Sequence, residues 1–405
     1  MPERLFDPYS PAFLADPYPA YNELPDVFHD ARWNLTFFRR YQDVSALLKD
    51  RRLGRDFHHR LSTDQVDLEL YRRTYPQEWP NWTKYIRGSF IDLEPPRHTR
   101  IRRLVAKAFT RRHAEEFRPL VEALASRLLD EAVARGGMEV IADYATPIPI
   151  ALIAELMAIP RVDHDRLLDW SHLIVKVFDE KVTVEEGNAA EAAVVEFTGY
   201  LSEVIEQRRH RPGNDLVSSL ITSEEDGDRL ALDDLVATCI LTLNAGHEAT
   251  VHAIGNALLA LARHPAEFAR LRREASLTGS AAAELLRFDS PLQMFERWVL
   301  EDLDWNGHRL EQGTKVGLLF GAANRDERRF PDPDRLDLGR ADNQHLAFGA
   351  GIHRCVGEPL ALVELEVAIG AVAKRVRELH LVTEELPRLE SLVFRGVREL
   401  PLTLA

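Results

Sequence analysis

Cysteine is scarce in this chain, with two in 405 residues. Two thiols cannot build a disulfide framework, so the fold must rest on its apolar core, and a reducing compartment, the cytoplasm, is expected. An excess of positive charge is missing too: the formal net charge is −14, which argues against nucleic acid as a general partner. Membrane-directing sequence is also lacking. The first residues, MPERLFDPYSPAFLADPYPAY, are polar and proline-rich, with neither a signal-peptide core nor an anchor. No internal repeat or low-complexity tract stands out. What remains is an ordinary globular composition, 45% hydrophobic and 29% charged, able to bury a large core. The length admits two or three domains, but no segment reads as an interdomain linker, so one domain over residues 1–405 is expected, as a monomer.

One of the two cysteines lies in the most informative stretch, His345–Glu358, HLAFGAGIHRCVGE. Gly349 and Gly351 precede Cys355 and Gly357 follows it; residues Pro359 to Val376 then read as a helix with apolar Leu360, Val363, Val367 and Ala371. A thiol at a helix start faces the positive end of the macrodipole, which favours thiolate. Glycines before it let the backbone turn sharply, approach a flat ligand and aim amide N–H groups at sulfur. A thiolate so presented is a good ligand for iron. A lone cysteine beside a glycine-rich turn is more often a buried structural thiol. The pattern Phe348-Gly-x-Gly-x-His353-x-Cys355-x-Gly357 fixes six positions, however, and outweighs that reading.

Helical periodicity dominates elsewhere, at Ala114–Arg135, Pro147–Ala158, His164–Phe178, Ala189–Arg209 and Asp215–Thr222, with strands expected within Ala31–Arg39, Leu292–Val299 and Val316–Phe320. The class is mainly α with small β-sheets. From Arg51 to Ser89, Phe57, Tyr71, Tyr75, Trp79, Trp82 and Tyr85 are scattered among charges and prolines with weak periodicity, as in a surface loop with half-buried aromatics. Pro95-Pro96 opens a helix in which residues 97–112 carry seven Arg or Lys and no acid; His98 and Arg102 share one face, and Arg100, Arg103, Lys107 and Arg111 the opposite one. Asp233–Arg263 reads as a helix of roughly 45 Å whose only formal charge between Leu235 and Ala262 is Glu248. Asn244, His247, Glu248, His252 and Asn256 in its middle argue against a membrane span and for a buried helix. An unpaired buried carboxylate is costly, so Glu248 should face water, a partner or a pocket. Ala245-Gly246 removes bulk, letting a planar group lie close and the helix distort.

The cysteine segment resembles the haem-ligand signature of the cytochrome P-450 superfamily, the haem-thiolate monooxygenases, in its soluble bacterial form. The resemblance extends from about Asp7 to the C-terminus. It implies the cytochrome P-450 fold, with haem b (iron protoporphyrin IX) between the long central helix and the cysteine-loop helix. Cys355 matches the axial iron ligand, with Phe348, Gly349 and Gly357 shaping its loop. HTRIR is similar to the segment whose His98 and Arg102 hold the haem propionates; Arg297 and His353 match further propionate contacts. AGHEAT resembles the oxygen-activation motif: Ala245 and Gly246 lie over the haem, Glu248 matches the acid, and Ala249 stands where a threonine normally hydrogen-bonds the bound dioxygen. Thr250 matches only the second, less constrained threonine. Glu284 and Arg287, with Arg335 in FPDPDR as third member, resemble the structural Glu/Arg/Arg network. Leu292, Met294, Phe295, Val393 and Phe394 match pocket-lining positions, and the Arg51–Ser89 region matches the pocket lid.

The reaction implied is insertion of one oxygen atom from O2 into an apolar small molecule, by hydroxylation or epoxidation. No flavin or nicotinamide module fits the length, so electrons are expected from a separate ferredoxin or flavodoxin with its reductase, docking on the outer basic stripe of Arg100, Arg103, Lys107 and Arg111. Two alternatives stay open. Ala249 leaves room for an enzyme that uses peroxide directly or rearranges its substrate. A non-catalytic haem gas sensor is disfavoured by Glu248 and the basic stripe, since sensing needs neither a proton path nor an electron donor.

Overall fold

The computed structural model describes residues 6–178, 181–222, 224–225 and 228–405; the first five residues of the polar N-terminal stretch lie outside them. The architecture is built on the helix Leu232–Arg263. Asp233 and Asp234 stand in its first turn, where the N-terminal dipole favours carboxylates, and it ends at His264 before Pro265. Between those ends, Leu235, Val236, Ile240, Leu243, Ile254, Leu258 and Leu261 are buried. Each such side chain contributes on the order of 1.5–3 kcal/mol when fully buried, so a charge placed at Leu258 should break the packing. Asn256 is tied down in the interior through its Nδ2, which donates to the carbonyls of Asp289 (3.2 Å) and Arg395 (3.0 Å).

Helices Arg111–Arg135, Pro147–Leu156, His164–Val175 and Val184–His210 surround it, close to the spans expected, together with Thr278–Phe288. The helix Glu358–Arg375 starts beside Gly357 with Pro359 in its first turn, and packs along Arg111–Arg135 and the central helix. A five-stranded sheet orders Val27–Asp30, Leu35–Phe38, Lys315–Leu319, Met294–Val299 and Leu53–Gly54, with Lys315–Leu319 parallel to Leu35–Phe38 and antiparallel to Met294–Val299. Most helices share one hydrophobic cluster, while Phe6, Phe13, Trp33, Phe37 and Trp298 belong to a second, under the sheet.

The aromatic stretch forms a wall of the cavity described below, as the resemblance implies, and is not a surface loop: Phe57, Tyr75, Trp79, Trp82 and Tyr85 are all buried, in and between short helical turns such as Leu68–Thr74 and Pro80–Trp82. Long-range packing orders what the local pattern leaves irregular. The central helix is also unbroken at Ala245-Gly246. A Cβ on Gly246 would lie 2.6 Å from Ile153 Cδ1, so that glycine admits the neighbouring helix Pro147–Leu156.

Candidate active site

A cavity of about 620 Å³ opens between the central helix and the cysteine loop, within the range of ligand sites. Its floor is Cys355. The loop turns at Gly349 (φ +67°) and Gly351 (φ +73°), and a Cβ at Gly351 would run into the Leu48 carbonyl. The Cys355 N–H donates to the Phe348 carbonyl at 2.9 Å, while the amides of Gly357 and Glu358 point at the sulfur. Burial nevertheless pushes the thiol up to about 11 against those amides. The helix start alone does not make the thiolate; a cation above the sulfur must supply the rest.

Cationic and neutral nitrogen donors gather at one side. Arg297 reaches the cavity from strand Met294–Val299, and among the described residues it makes no ion pair; burial, then the nearby Arg55, depresses its guanidinium to about 9. Arg102 lines the cavity and donates to the Arg354 carbonyl. His98 is buried with neither ring nitrogen bonded. Its ring lies 4.5 Å from that of His353, whose Nε2 is 2.9 Å from Glu94 Oε1 and whose Nδ1 is buried without a partner. Burial depresses both imidazoles, His98 to about 4 and His353 to about 2, so both are neutral near pH 7. Among the described residues Arg297, whose Nη1 donates only to the Glu296 carbonyl at 2.8 Å, has no carboxylate partner, and His98 and the Nδ1 of His353 are bare, which is costly unless a polar partner arrives. Two carboxylates on a flat ring, with a metal over the thiol, would satisfy this donor set, and haem fits it.

Opposite the thiol, Asn244, Ala245, Gly246, Ala249 and Thr250 line the cavity. Glu248 does not. Its side chain turns between helices, with Oε1 3.6 Å from His247 Nδ1 and 3.7 Å from His172 Nε2, and Oε2 3.7 Å from His252 Nε2. Burial raises its pKa, and His247, His252 and His172 outweigh that, so the carboxyl ends below its usual range and stays ionised. Leu292, Met294, Phe295, Val393 and Phe394 all line the cavity, and Leu292 bridges to Phe394 between backbones. Phe348 and Gly349 line it as well. Sequence reasoning missed the cavity-lining role of Val175, Val177, Phe178 and Val182, at and beyond the end of helix His164–Val175, and a charged corner of Arg73, Glu296 and Lys315. Helical periodicity marks a buried face but not which buried residues meet a cavity.

One assignment is corrected. Arg287 does pair with Glu284, Nε to Oε2 at 2.7 Å, with both side chains fully buried. The third member is Arg340, whose Nε sits 3.2 Å from each Glu284 oxygen. Arg335 is exposed and, among the described residues, its side chain pairs with Asp337 at 3.4 Å and not with Glu284. Arg100 of the basic stripe, and Arg97 one turn before it, bond to Asp234 at 2.9 and 2.7 Å, tying that helix to the central one.

A thiol-floored cavity with a donor set for two carboxylates, under a long buried helix, defines a haem-thiolate protein. A sequence model of the Cytochrome P450 family matches residues 70–377. The chain is 37% identical to a putative cytochrome P450 133B2 of Xylella fastidiosa (strain 9a5c), covering 93% of each. It is 37% identical to the vitamin D(3) 25-hydroxylase of Pseudonocardia autotrophica, over 98% of this chain and 96% of that one. The solved myxobacterial CYP267B1, in complex with myristic acid, superposes with a TM-score of 0.88 at 35% identity, covering 98% of each. The chain belongs to the cytochrome P450 family. It is a monooxygenase that uses haem b and O2, with a substrate and a redox partner. Among the described residues, no helix is long and apolar enough to cross a membrane.

Proposed function

We propose that this single-domain enzyme hydroxylates or epoxidises an apolar small molecule, with electrons from a separate ferredoxin or flavodoxin and its reductase. The observation that carries the reading is the cavity: Cys355 on its floor, Arg297, Arg102 and His353 at one side with the buried His98 packed against His353, and Leu292, Met294, Phe295, Val393 and Phe394 on its walls. The names of a vitamin D(3) 25-hydroxylase and of a structure holding myristic acid support apolar substrates.

Cys355 would hold the haem iron, and Arg102, Arg297, His98 and His353 its propionates. The chemistry a bound haem supplies is reductive cleavage of O2, one atom entering the substrate and the other leaving as water, with electron density from the thiolate aiding O–O cleavage. The chain does the rest. Leu292, Phe295 and Phe394 orient the substrate and exclude water. Glu248, ionised and within reach of the half-exposed His172, takes protons from solvent and returns them toward the cavity by way of water. Ala249 offers no hydroxyl for the last step, which is what favours a second reading, direct use of peroxide.

The test is turnover of a ligand chosen by spectral-shift titration, drawn from terpenoids, fatty acids, macrolides and aromatic compounds. With ferredoxin, reductase, NADPH and ¹⁸O2, product carrying one ¹⁸O atom supports the monooxygenase reading. Turnover with hydrogen peroxide but none with the electron-transfer system supports the second.

A further inference from the structure

We propose that His172, His247 and Glu248 form a binding site for a divalent transition-metal cation, zinc being the type case, outside the haem cavity. His247 and Glu248 are neighbours on the central helix, and His172 is brought to them by helix His164–Val175, which packs on it. Taking one ligand atom from each residue, all lie within 4.8 Å of one another. Glu248 Oε1 is the hub, 3.6 Å from His247 Nδ1 and 3.7 Å from His172 Nε2, and the two imidazole rings are 5.7 Å apart. These separations exceed hydrogen bonds.

A second observation points the same way. The His247 side chain is 1% exposed, and neither of its ring nitrogens has a hydrogen-bond partner; the buried Glu248 Oε1 has none either. Leaving three polar atoms unmatched in the interior is costly, and one Lewis acid accepts a lone pair from His247, His172 and Glu248 together. Around a tetrahedral zinc with ligands at about 2.0–2.2 Å, ligand atoms lie about 3.4 Å apart. The two hub distances are close to that. The remaining gap closes by a swing of His172, whose side chain is 55% exposed. Two imidazoles and one carboxylate suit zinc and its neighbours and disfavour magnesium and calcium, which prefer all-oxygen shells. His252 Nε2, 3.7 Å from the other carboxylate oxygen, is placed to orient Glu248. None of the three ligands lines the haem cavity, so the metal would sit between helices with its fourth position toward solvent, and while bound it would hold Glu248 and His172 out of the proton transfer proposed for them.

The experiment is calorimetric titration of the tag-free holoenzyme with zinc chloride, with magnesium chloride as control. One zinc equivalent is expected, with no magnesium binding. His172→Ala, a surface change, should weaken the zinc affinity about tenfold or more, and Glu248→Gln should do so too. His210→Ala, which removes a surface histidine 3.0 Å from Glu206, should leave it unchanged. An unaltered carbon monoxide spectrum in each variant shows that haem and fold are retained. Absence of a zinc equivalent in the wild type, or zinc binding by His172→Ala as tight as wild type, overturns the proposal.

Discussion

Arg340 sets its Nε 3.2 Å from both carboxylate oxygens of Glu284, which Arg287 grips from its own helix at 2.7 Å. Glu284 also accepts from the Asp337 N–H (3.1 Å) and Asn343 Nδ2 (3.2 Å), while Arg287 donates to the carbonyls of Asn324 (2.8 Å) and Pro333 (3.0 Å). Asn324 in turn accepts from the Leu346 N–H at 2.7 Å, one short loop before Phe348. One buried carboxylate therefore anchors the approach to the cysteine loop. Arg340→Ala leaves Glu284 paired with Arg287 alone and takes away the hydrogen bonds of Arg340 to Glu284 and to the Pro331, Asp332 and Arg335 carbonyls, and should cost about 1.5–3 kcal/mol. Arg335→Ala, at an exposed side chain, should stay within about 0.5 kcal/mol. Guanidinium unfolding and haem content per chain measure both; equal losses in the two variants would sink the assignment of Arg340.

The two cysteines should separate cleanly. Cys355 faces the cavity, whereas Cys239 is fully buried in the main hydrophobic cluster with its thiol pushed up to about 12 by burial. Cys355→Ser should abolish the red-shifted carbon monoxide band and the oxygenase activity. Cys239→Ala should keep both and lose only a small packing term, about 1 kcal/mol. The opposite pattern would place the haem elsewhere.

How much of this was legible in the sequence depended on whether a signal was local. The cysteine loop was, because six fixed residues within ten positions serve one ligand. Cavity residues on regular elements were too, since Leu292, Met294 and Phe295 precede or occupy a strand. Arg340 was not: Arg335 and Arg340 both stand in turns without period, and only the three-dimensional path decides which reaches Glu284. The environment of Glu248 was half legible. His252 follows from i,i+4 helical spacing, but His247 is the adjacent residue and His172 arrives from a different helix. The burial of Trp79 and Trp82 likewise depends on helix Val184–His210: Asn188 accepts from Trp79 Nε1 at 3.2 Å, and Glu191 Oε2 accepts from the Trp82 N–H at 2.8 Å.

Electron delivery should respond to charge on the helix Arg97–Ala106 and its C-terminal end. Arg103 and Lys107 are exposed on that helix and its end, opposite His98 and Arg102. Reversing both to Glu should slow the first reduction by an acidic ferredoxin about tenfold at low salt, with the difference shrinking as salt screens it. Substrate affinity should hold, because His98 and Arg102 occupy the other face. Stopped-flow rates that match wild type across ionic strengths would move the docking face away.

Glu296 at the charged corner sets an acid limit. Burial raises its pKa, but Lys315 at 2.8 Å, with Arg73 and Arg87, outweighs burial and holds it at about 2 against an ordinary 4.5. A depressed folded pKa gives stability that is fully present above the unfolded value of 4.5 and lost as pH falls toward 2. Glu296→Gln should remove that slope, so that its unfolding midpoint varies less than that of wild type across this window. At neutral pH it should be less stable, toward the low end of about 3–5 kcal/mol, because the carboxylate side chain is 26% exposed to the cavity. Parallel acid curves for the two proteins would show that the pair carries no such linkage.

The final prediction turns on Ala249. Cleaving O2 requires protons in a pocket shielded from bulk water, and a methyl group cannot donate the hydrogen bond a threonine would. Glu248, the nearest ionised acid on the helix, is turned out of the cavity toward His172, His247 and His252, while Ala249 and Thr250 face into it. A proton must therefore cross from Glu248 through water, steadied by Thr250 or by a hydroxyl or carbonyl of the substrate. If the substrate completes that chain, the product formed per electron pair depends on its polar group. Analogues lacking the group should bind but leak electrons to peroxide. Ala249→Thr should raise their coupling about two- to tenfold, the worth of one hydrogen bond. Glu248→Gln should slow turnover of every substrate, on the order of 10²-fold, because it removes the acid itself and not the last relay. Coupling measured as product against NADPH consumed separates these cases. Equal coupling with and without the polar group, in wild type and Ala249→Thr alike, would mean that ordered water suffices and that the substrate takes no part in delivering the proton.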